Sequence, residues 1–587
     1  MNSLKEFNHA FSYLKQYLNQ YKKNRSISML MTILESVFEL LIPAIMGIIL
    51  NEVIYQKDSS QALKYGAIII VLSLLSMYTG MSASKNAGIA ATGLTDEVRR
   101  KEFSKIQEFS FEDFEYFGVA SLLTRLTSDM QALAQATFFT TRFIIKPLVM
   151  AIVAFFLAFR TSAKLSFIFL ILMPILVLIL LFITSKAIPK FKQTRKQYDK
   201  LNLIIEENLN NMRVVKAFVR KRYEMDKFAA SNDDMFKLAD SSQGTISFVM
   251  PIANTILYAT FVAIAWFGGI EIIEGRMGVG DLVSFNMYAM MLLGSLIGLS
   301  MVITMLMASS PSVTRVKEVL TREISMDNFD KIEGLDLADG SVDFDNVSFK
   351  YDQDSDNYQL KDINLHIKSG ERIGILGSTG SSKSTLVQLI PRLYDITEGS
   401  LKVGGHDIKD YDLKTLRDGV SIVLQKNTLF SGKIIENLRW GDSDASYDEV
   451  IAMAKIAQAD EFVSERADGY DSELGQGGSG VSGGQKQRLT IARSLLKKPK
   501  ILILDNSTSA VDTKTEAKLL DGFAKLDENM TQIIISQRLS SFENADRIVI
   551  LDDGKISDIG TGEELYQRNE MYRTSYDIQN KGGEDDR

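Results

Sequence analysis

Three short segments in the second half of the chain carry residue types suited to phosphate chemistry. The first is Gly377-Ser378-Thr379-Gly380-Ser381-Ser382-Lys383-Ser384-Thr385, between a buried-strand pattern at Arg372–Leu376 and an apolar helix from Leu386. In such a loop, backbone N–H groups and a helix N-terminus cradle phosphates, a lysine reaches the terminal ones and a serine hydroxyl can ligate magnesium. The strict pattern wants glycine directly before the lysine, where this chain has Ser382; taken alone, the segment reads equally well as a polar strand–helix loop. The second segment is the apolar run Ile501–Leu504 ending in Asp505, a carboxylate suited to a nucleotide-bound magnesium ion. The third is Val481-Ser482-Gly483-Gly484-Gln485, followed by a helix pattern bearing Lys486, Gln487 and Arg488.

The elements around these segments divide the chain. At 587 residues it exceeds one compact core, so two or more domains are expected. A mean hydropathy of +0.02 averages long apolar runs in the first half with an ordinary soluble composition after Arg322. The expected division is a membrane domain over 1–322, a linker over 323–340 and a soluble α/β domain over 341–587. A net charge of -7 gives no reason to expect nucleic-acid binding. With Cys 0, disulfides, thiolate catalysis and cysteine-ligated metals are excluded, and His 3 argues against a histidine-rich metal site. Met1–Arg25 is polar and lysine-bearing, without a signal-peptide pattern, so the first spans are expected to act as their own membrane signal.

A bilayer core needs ~20 apolar residues as helix. The candidate spans are 26–54, 62–83, 135–159, 164–185, 246–270 and 281–308, about six in all. Leu165–Ser185 has no charged residue and is bracketed by Lys164 and Lys186. Long polar connections, 84–134 and 186–243, alternate with short ones. The second is basic at Lys190, Lys192, Arg195, Lys196, Arg213, Lys216 and Arg220–Arg222, which predicts a cytoplasmic location shared with both termini. Helical apolar spacing, as in Leu201–Val219, predicts hairpins that continue the membrane helices on the order of 40 Å beyond the bilayer, against the alternative of flexible loops.

Order and spacing over about 341–562 resemble the ATP-binding cassette (ABC) family, whose signature loop is Ser-Gly-Gly-Gln, here Ser482–Gln485. Tyr351 resembles its adenine-stacking aromatic residue, Gln425 its Q-loop glutamine and Ala510-Val511-Asp512 its D-loop, while Gln537 holds the position of its switch histidine. The membrane half is similar to exporter domains of multidrug and lipid transporters. The resemblance implies an all-α six-helix transmembrane domain with long cytoplasmic helical extensions, followed by an α/β P-loop nucleotide-binding domain. It implies ATP and Mg²⁺ as ligands of Tyr351, Gly377–Thr385, Gln425 and Asp505, with Ser384, Gln425 and Asp505 on the metal. It further implies a dimer in which Ser482, Gly483, Gly484 and Gln485 complete the opposite site in trans. Coupling helices are implied near Phe111–Phe117 and Phe218–Lys227.

Three positions depart from the family pattern. The residue after Asp505, usually a water-polarising glutamate, is Asn506; the switch histidine is Gln537; and Ser382 replaces glycine. Loss of a general base typically costs ~10²–10⁴ in rate, and loss of one transition-state donor about 10²–10³. An intact signature beside these losses resembles the degenerate half of heterodimeric exporters, whose sister chain carries the catalytic residues. The competing account is an Asn506 introduced to trap nucleotide; Gln537 at a second catalytic position favours natural degeneracy.

The expected function is one half of an ATP-driven exporter of amphipathic drugs or lipids across the cytoplasmic membrane. The alternatives are a non-transporting ATP-binding regulatory subunit, a peptide exporter and an exporter-shaped importer of metal chelates. Glu35 and Glu39 lie one turn apart in the first span, where they could attract a cationic substrate or pair with Lys or Arg. Met287, Met290, Met291, Met301, Met305 and Met307 crowd the last span, either as an adaptable binding surface or as ordinary packing.

Overall fold

The computed structural model describes residues 9–53, 58–326, 331–352, 355–508, 511–524, 526 and 528–581. Ile54 of the first expected span, residues 327–330 of the linker, Ala510 of the D-loop and residues 582–587 lie outside it. The chain forms two units, one of Met1–Gln107 with Ala120–Arg322, the other of Glu108–Val119 with Glu323–Arg587. The segment 108–119, expected within the membrane domain, thus groups with the second unit.

The first unit is helical. Its main helices are Lys22–Ile48, Ser59–Gln107, Met130–Arg142, Ile145–Thr161, Ala163–Asn210, Lys221–Ser247, Val249–Ile273 and Val279–Thr321. Among the described residues, five helical stretches are long and apolar enough to cross a membrane: His9–Val53, Ser59–Gln107, Val119–Thr161, Lys221–Ile273 and Val279–Thr321. The expected span 164–185 falls on Ala163–Asn210, several of whose side chains lie outside the description. The expected span 135–159 is broken at Phe143–Ile144, and Pro147 then sits in the first turn of the next helix, where a missing N–H costs nothing. Small residues line the seam between Lys22–Ile48 and Ser59–Gln107. Ala83, Ala87, Ala90 and Ala91 are buried at helical spacing, and Ser28 Oγ donates to the Ala83 carbonyl at 2.9 Å.

The second polar connection is a helical hairpin, as expected. Across it, Lys190 Nζ donates to Thr245 Oγ1 (2.8 Å), Thr194 and Ser242 hydroxyls meet at 2.9 Å and Lys227 pairs with Glu207 at 2.8 Å. The short helix at its tip is Met212–Ala217, earlier than the expected Phe218–Lys227. Asn211 ends the long helix outside helical geometry (φ -104, ψ 22), and Val219 takes φ +51, so residues 218–220 form the turn. The other expected coupling segment is helix Phe111–Phe117 with the same bounds, started by a Ser110/Asp113 capping box. Within the second unit its Phe111 ring lies 5.8 Å from that of Tyr394.

The second unit has an α/β core. A four-stranded sheet runs in the order β2 (Leu360–Ile367), β1 (Val342–Phe349), β4 (Glu398–Val403), β5 (His406–Asp407). A six-stranded sheet runs β12 (Lys555–Gly560), β11 (Arg547–Asp552), β3 (Arg372–Leu376), β10 (Thr531–Ile535), β9 (Ile501–Asp505), β6 (Val420–Val423). All its pairings are parallel except β11 with β12. Parallel strands covered on both faces read as continuous apolar runs, and β9 and β10 are buried at every residue.

Candidate functional site

Four neighbouring parallel strands position the site. β10 pairs Ile533 with Ile373 of β3 on one side and with Ile503 of β9 on the other, so their carboxyl ends are level. Gly377 follows β3, Gln537 lies just beyond β10, Asp505 ends β9 and Gln425 lies just beyond β6. Strands ~4.8 Å apart bring these positions to one sheet edge within ~15 Å, outside the strand ends where open α/β sheets bind ligands.

A cavity of about 290 Å³ opens there, lined by Thr379, Gly380, Ser382, Lys383, Ser384, Thr385, Gln425, Asn506 and Gln537. Gly377, Ser378 and Ser381 hold the lysine from behind: Lys383 Nζ donates to the carbonyls of Gly377 (2.8 Å) and Ser378 (2.6 Å) and to Ser381 Oγ (3.3 Å). Burial holds Lys383 below the ordinary lysine pKa, against the charge of Asp505. Asp505 is 1% exposed; burial raises its carboxyl, opposed by a hydrogen bond to Ser384, the Lys383 charge and the Asn506 amide. Ser384, Asp505 and Gln425 offer the all-oxygen donor set that Mg²⁺ takes together with phosphate oxygens and water, so these residues fit that ion. Among the described residues, no cluster of three His, Cys, Asp or Glu could hold a metal alone.

Ser382 sits at φ +68, ψ 25, the left-handed geometry that the family glycine serves. Asn506 is also left-handed at φ +48, which asparagine tolerates. Its N–H donates to the Ile535 carbonyl (3.0 Å), and its own carbonyl accepts from Gln487 Nε2 (3.2 Å).

Two expected groups lie apart from this cavity. Tyr351 lines a neighbouring one of about 270 Å³ with Phe349 and Tyr394, and its hydroxyl lies 3.0 Å from Thr385 Oγ1. Ser482 caps helix Gly483–Leu496 in a box with Gln485, accepting from its N–H at 3.3 Å. Ser482 and Gly483 are exposed, so this 14-residue helix presents its N-terminus, a ready anion site, to solvent. Of the D-loop, Val511 is buried and Asp512 exposed.

Sequence reading misses a buried carboxylate behind the site. Glu516, 1% exposed, accepts from Arg538 Nη1 (2.7 Å) and Ser541 Oγ (2.6 Å), and Arg538 also donates to the Val511 carbonyl (3.1 Å). This ties the D-loop to the segment after Gln537. The only advance signal is Arg538 beside the switch position, because Glu516 reads as one polar position of an amphipathic helix.

In the membrane unit, Glu35 and Glu39 are paired. Glu35 meets Arg142 Nη2 (2.6 Å) and Lys146 Nζ (2.7 Å), and Lys146 also meets Glu39 (2.9 Å). Two acids and two bases leave no net charge to recruit a cation. Of the methionines, Met290 and Met301 are exposed, whereas Met291 packs against the core that includes Phe285 and Tyr288.

Known proteins share both halves. The family of the ABC transporter transmembrane region matches residues 26–296, and the ABC transporter family matches 360–509. An uncharacterized ABC transporter ATP-binding protein of Bacillus subtilis, YfiB, is 35% identical over 94% of this chain and 96% of its own. A putative multidrug export ATP-binding/permease protein from the same organism, YgaD, is 31% identical over 82% of this chain and 83% of its own. In fold, a bacterial Atm1-family ABC exporter with ATP bound superposes at a TM-score of 0.81, covering 96% of this chain and 99% of that one at 24% identity. With its membrane helices and its phosphate-binding α/β unit on one polypeptide, the chain belongs to the ABC transporter family.

Proposed function

We propose that this chain is one half of an exporter that moves amphipathic drugs or lipids across the cytoplasmic membrane, paired with a sister ABC subunit. In this reading 1–322 is a six-span membrane domain, the sixth span being supplied by the uncharged Leu165–Ser185, and 323–340 links it to a nucleotide-binding domain at 341–587. Both termini and that domain lie in the cytoplasm. Lys383, Ser384, Gln425 and Asp505 bind ATP–Mg²⁺ with little turnover, Tyr351 supports the adenine, and Ser482–Gln485 complete the sister's competent site. Export and drug cargo are supported by the relative YgaD, a putative multidrug export ATP-binding/permease protein.

The observation that carries the reading is the chemistry of the 290 Å³ cavity: among the described residues, its lining holds no carboxylate and no imidazole. Asn506 stands where a water-activating base is needed, Gln537 where a titratable ring is, and Asp505 is hydrogen-bonded to Ser384. A binding site without a general base grips nucleotide and turns it over slowly.

The test is ATP hydrolysis by the purified chain, alone and after co-expression with a sister half-transporter. The expected result is tight nucleotide binding with minimal phosphate release alone, and robust release from the pair that disappears on Ser482→Ala in this chain. Vigorous hydrolysis by the chain alone would overturn the degenerate-site reading.

A further inference from the structure

Glu102 sits near the end of helix Ser59–Gln107, in the polar stretch 84–134 and outside the span proposed at 62–83. It is fully buried, and among the described residues neither carboxyl oxygen has a hydrogen-bond partner. The chain's own atoms cover both oxygens, so a second subunit docking on this one adds burial and cannot supply a donor. Neither nucleotide binding nor the signature loop makes any use of this acid.

Its surroundings are charged but already balanced. The chain winds through a π-helical turn at Arg125–Asp129, a rare widening that concentrates at functional sites. Arg125 and Asp129 bound that turn, and both are buried and paired with helix Val279–Thr321. Arg125 Nη1 donates to Glu318 (2.8 Å) and to the Arg315 carbonyl (2.6 Å). Asp129 accepts from Arg315 Nε (2.7 Å) and Nη2 (2.5 Å). These two pairs cancel, and Glu102 is a fifth group left over from them. The charges acting on it are Arg125 and Asp129 of the turn, which pull in opposite directions, and the exposed Arg99 of its own helix. Burial outweighs them and pushes the carboxyl up to about 8. A sealed carboxylate without a donor is far costlier than the neutral acid, so the group keeps its proton.

We propose that Glu102 is a proton-binding site that locks the seam between helix Ser59–Gln107, the turn Arg125–Asp129 and helix Val279–Thr321. Its neutral acid is stable only while the seam is shut. Parting the seam admits water, and the proton leaves the carboxyl oxygen for solvent. An exposed glutamate returns to its ordinary value of 4.5, far below the buried one. The shut seam is therefore fully favoured below the exposed value, loses ground as pH rises between the two, and levels off above about 8. Movement of the last helix against the turn thus carries one proton, and acid favours the shut arrangement.

Infrared difference spectra of the full-length protein in detergent, recorded between about pH 5 and about pH 9, read the proton directly. Wild type is expected to lose one protonated-carboxyl band as pH rises, and Glu102→Gln to lack it. A band absent from wild type at the acid end, or one that survives Glu102→Gln, would overturn the site. Spin labels on Ser128→Cys and Thr314→Cys read the seam, unambiguously in a chain with Cys 0. Diluting labelled with unlabelled chain keeps the measured distances within one subunit. The ratio of long to short distances should rise by up to about tenfold per pH unit between the two values. Glu102→Gln, which keeps the neutral form, should stay short throughout. His9→Gln removes the only imidazole of residues 1–322, 3.1 Å from Lys317 of the same last helix, and should leave the wild-type response intact. A response that disappears with His9, or persists in Glu102→Gln, would overturn the lock.

Discussion

The side-chain amide of Asn506 donates to Asp505 Oδ1 over 3.4 Å at the end of β9. That amide can orient a water but accepts no proton from it. If the base and the switch residue act as a unit, restoring one gains little while the other is missing. Asn506→Glu or Gln537→His alone should therefore raise phosphate release by less than ~10-fold, and the double variant by on the order of 10² or more. Nucleotide affinity should stay level. A single substitution that matches the double would show that one position alone limits turnover and that the two do not act as a unit.

Ser382 holds a left-handed backbone at φ +68, and its side chain makes no helix-capping hydrogen bond that would offset the strain. A non-glycine residue there costs roughly 1–2 kcal/mol, partly offset by the greater unfolded-state freedom of glycine. Ser382→Gly should stabilise the nucleotide-binding unit by about 1 kcal/mol, a rise of ~2–4 °C in its melting temperature. Ser382→Ala should give no gain, because alanine meets the same steric penalty. A larger rise for alanine than for glycine would mean that the hydroxyl, not the backbone, is the cost.

Glu35 and Glu39 look alike in sequence, but the structure separates them. The Glu35 side chain is 7% exposed and bridges Arg142 and Lys146; that of Glu39 is 28% exposed, shares Lys146 and accepts from Ser76 Oγ at 3.5 Å. Removing one partner of a buried pair strands the other, at roughly 3–5 kcal/mol in soluble proteins, whereas losing the half-buried Glu39 leaves Lys146 still paired with Glu35. Glu35→Gln should lower thermal stability by several degrees, and Glu39→Gln should barely change it. Export of a cationic dye should survive Glu39→Gln, since the cluster is already neutral. Equal melting shifts for the two variants would refute the distinction.

What could be read in advance follows from how locally each feature is encoded. The strand–loop–helix around Lys383 and the strand ending in Asp505 are contiguous, so their roles show in a dozen residues. Their convergence needs β10 between β3 and β9, a pairing that no local pattern announces. The helix Phe111–Phe117 follows from the family resemblance, and the capping box of Ser110 and Asp113 at its start is the local feature that fixes it. The tip at Met212–Ala217 was not legible, because its end depends on a positive φ at Val219, a β-branched residue that sequence rules place elsewhere. The same limit hid Glu516: a carboxylate on an amphipathic helix looks solvated until Arg538 and Ser541 fold over it. The Glu35 cluster was half visible, since burial in the apolar run demanded a partner but Arg142 and Lys146 lie over a hundred residues away.

Gly280 illustrates packing that spacing alone conceals. Its N–H donates to Asn51 Oδ1 at 2.6 Å, and one turn later Ser284 Oγ donates to the Pro43 carbonyl at 2.6 Å. An added Cβ at Gly280 would collide with the Gly47 carbonyl, which is backbone and cannot rotate away, as well as with the Asn51 side chain. Gly294, in the same helix, has nothing within 4 Å of such a Cβ. In an open helical site alanine is favoured over glycine by roughly 0.5–1 kcal/mol, while overpacking costs about 1–3 kcal/mol. Gly294→Ala should therefore stabilise the detergent-solubilised protein slightly, and Gly280→Ala should destabilise it. The paired substitution tests the contact more sharply than either alone, because helix propensity acts on both sites and only the Gly47–Gly280 approach differs. If both variants melt higher than wild type, the first and last membrane helices are not held together at this point.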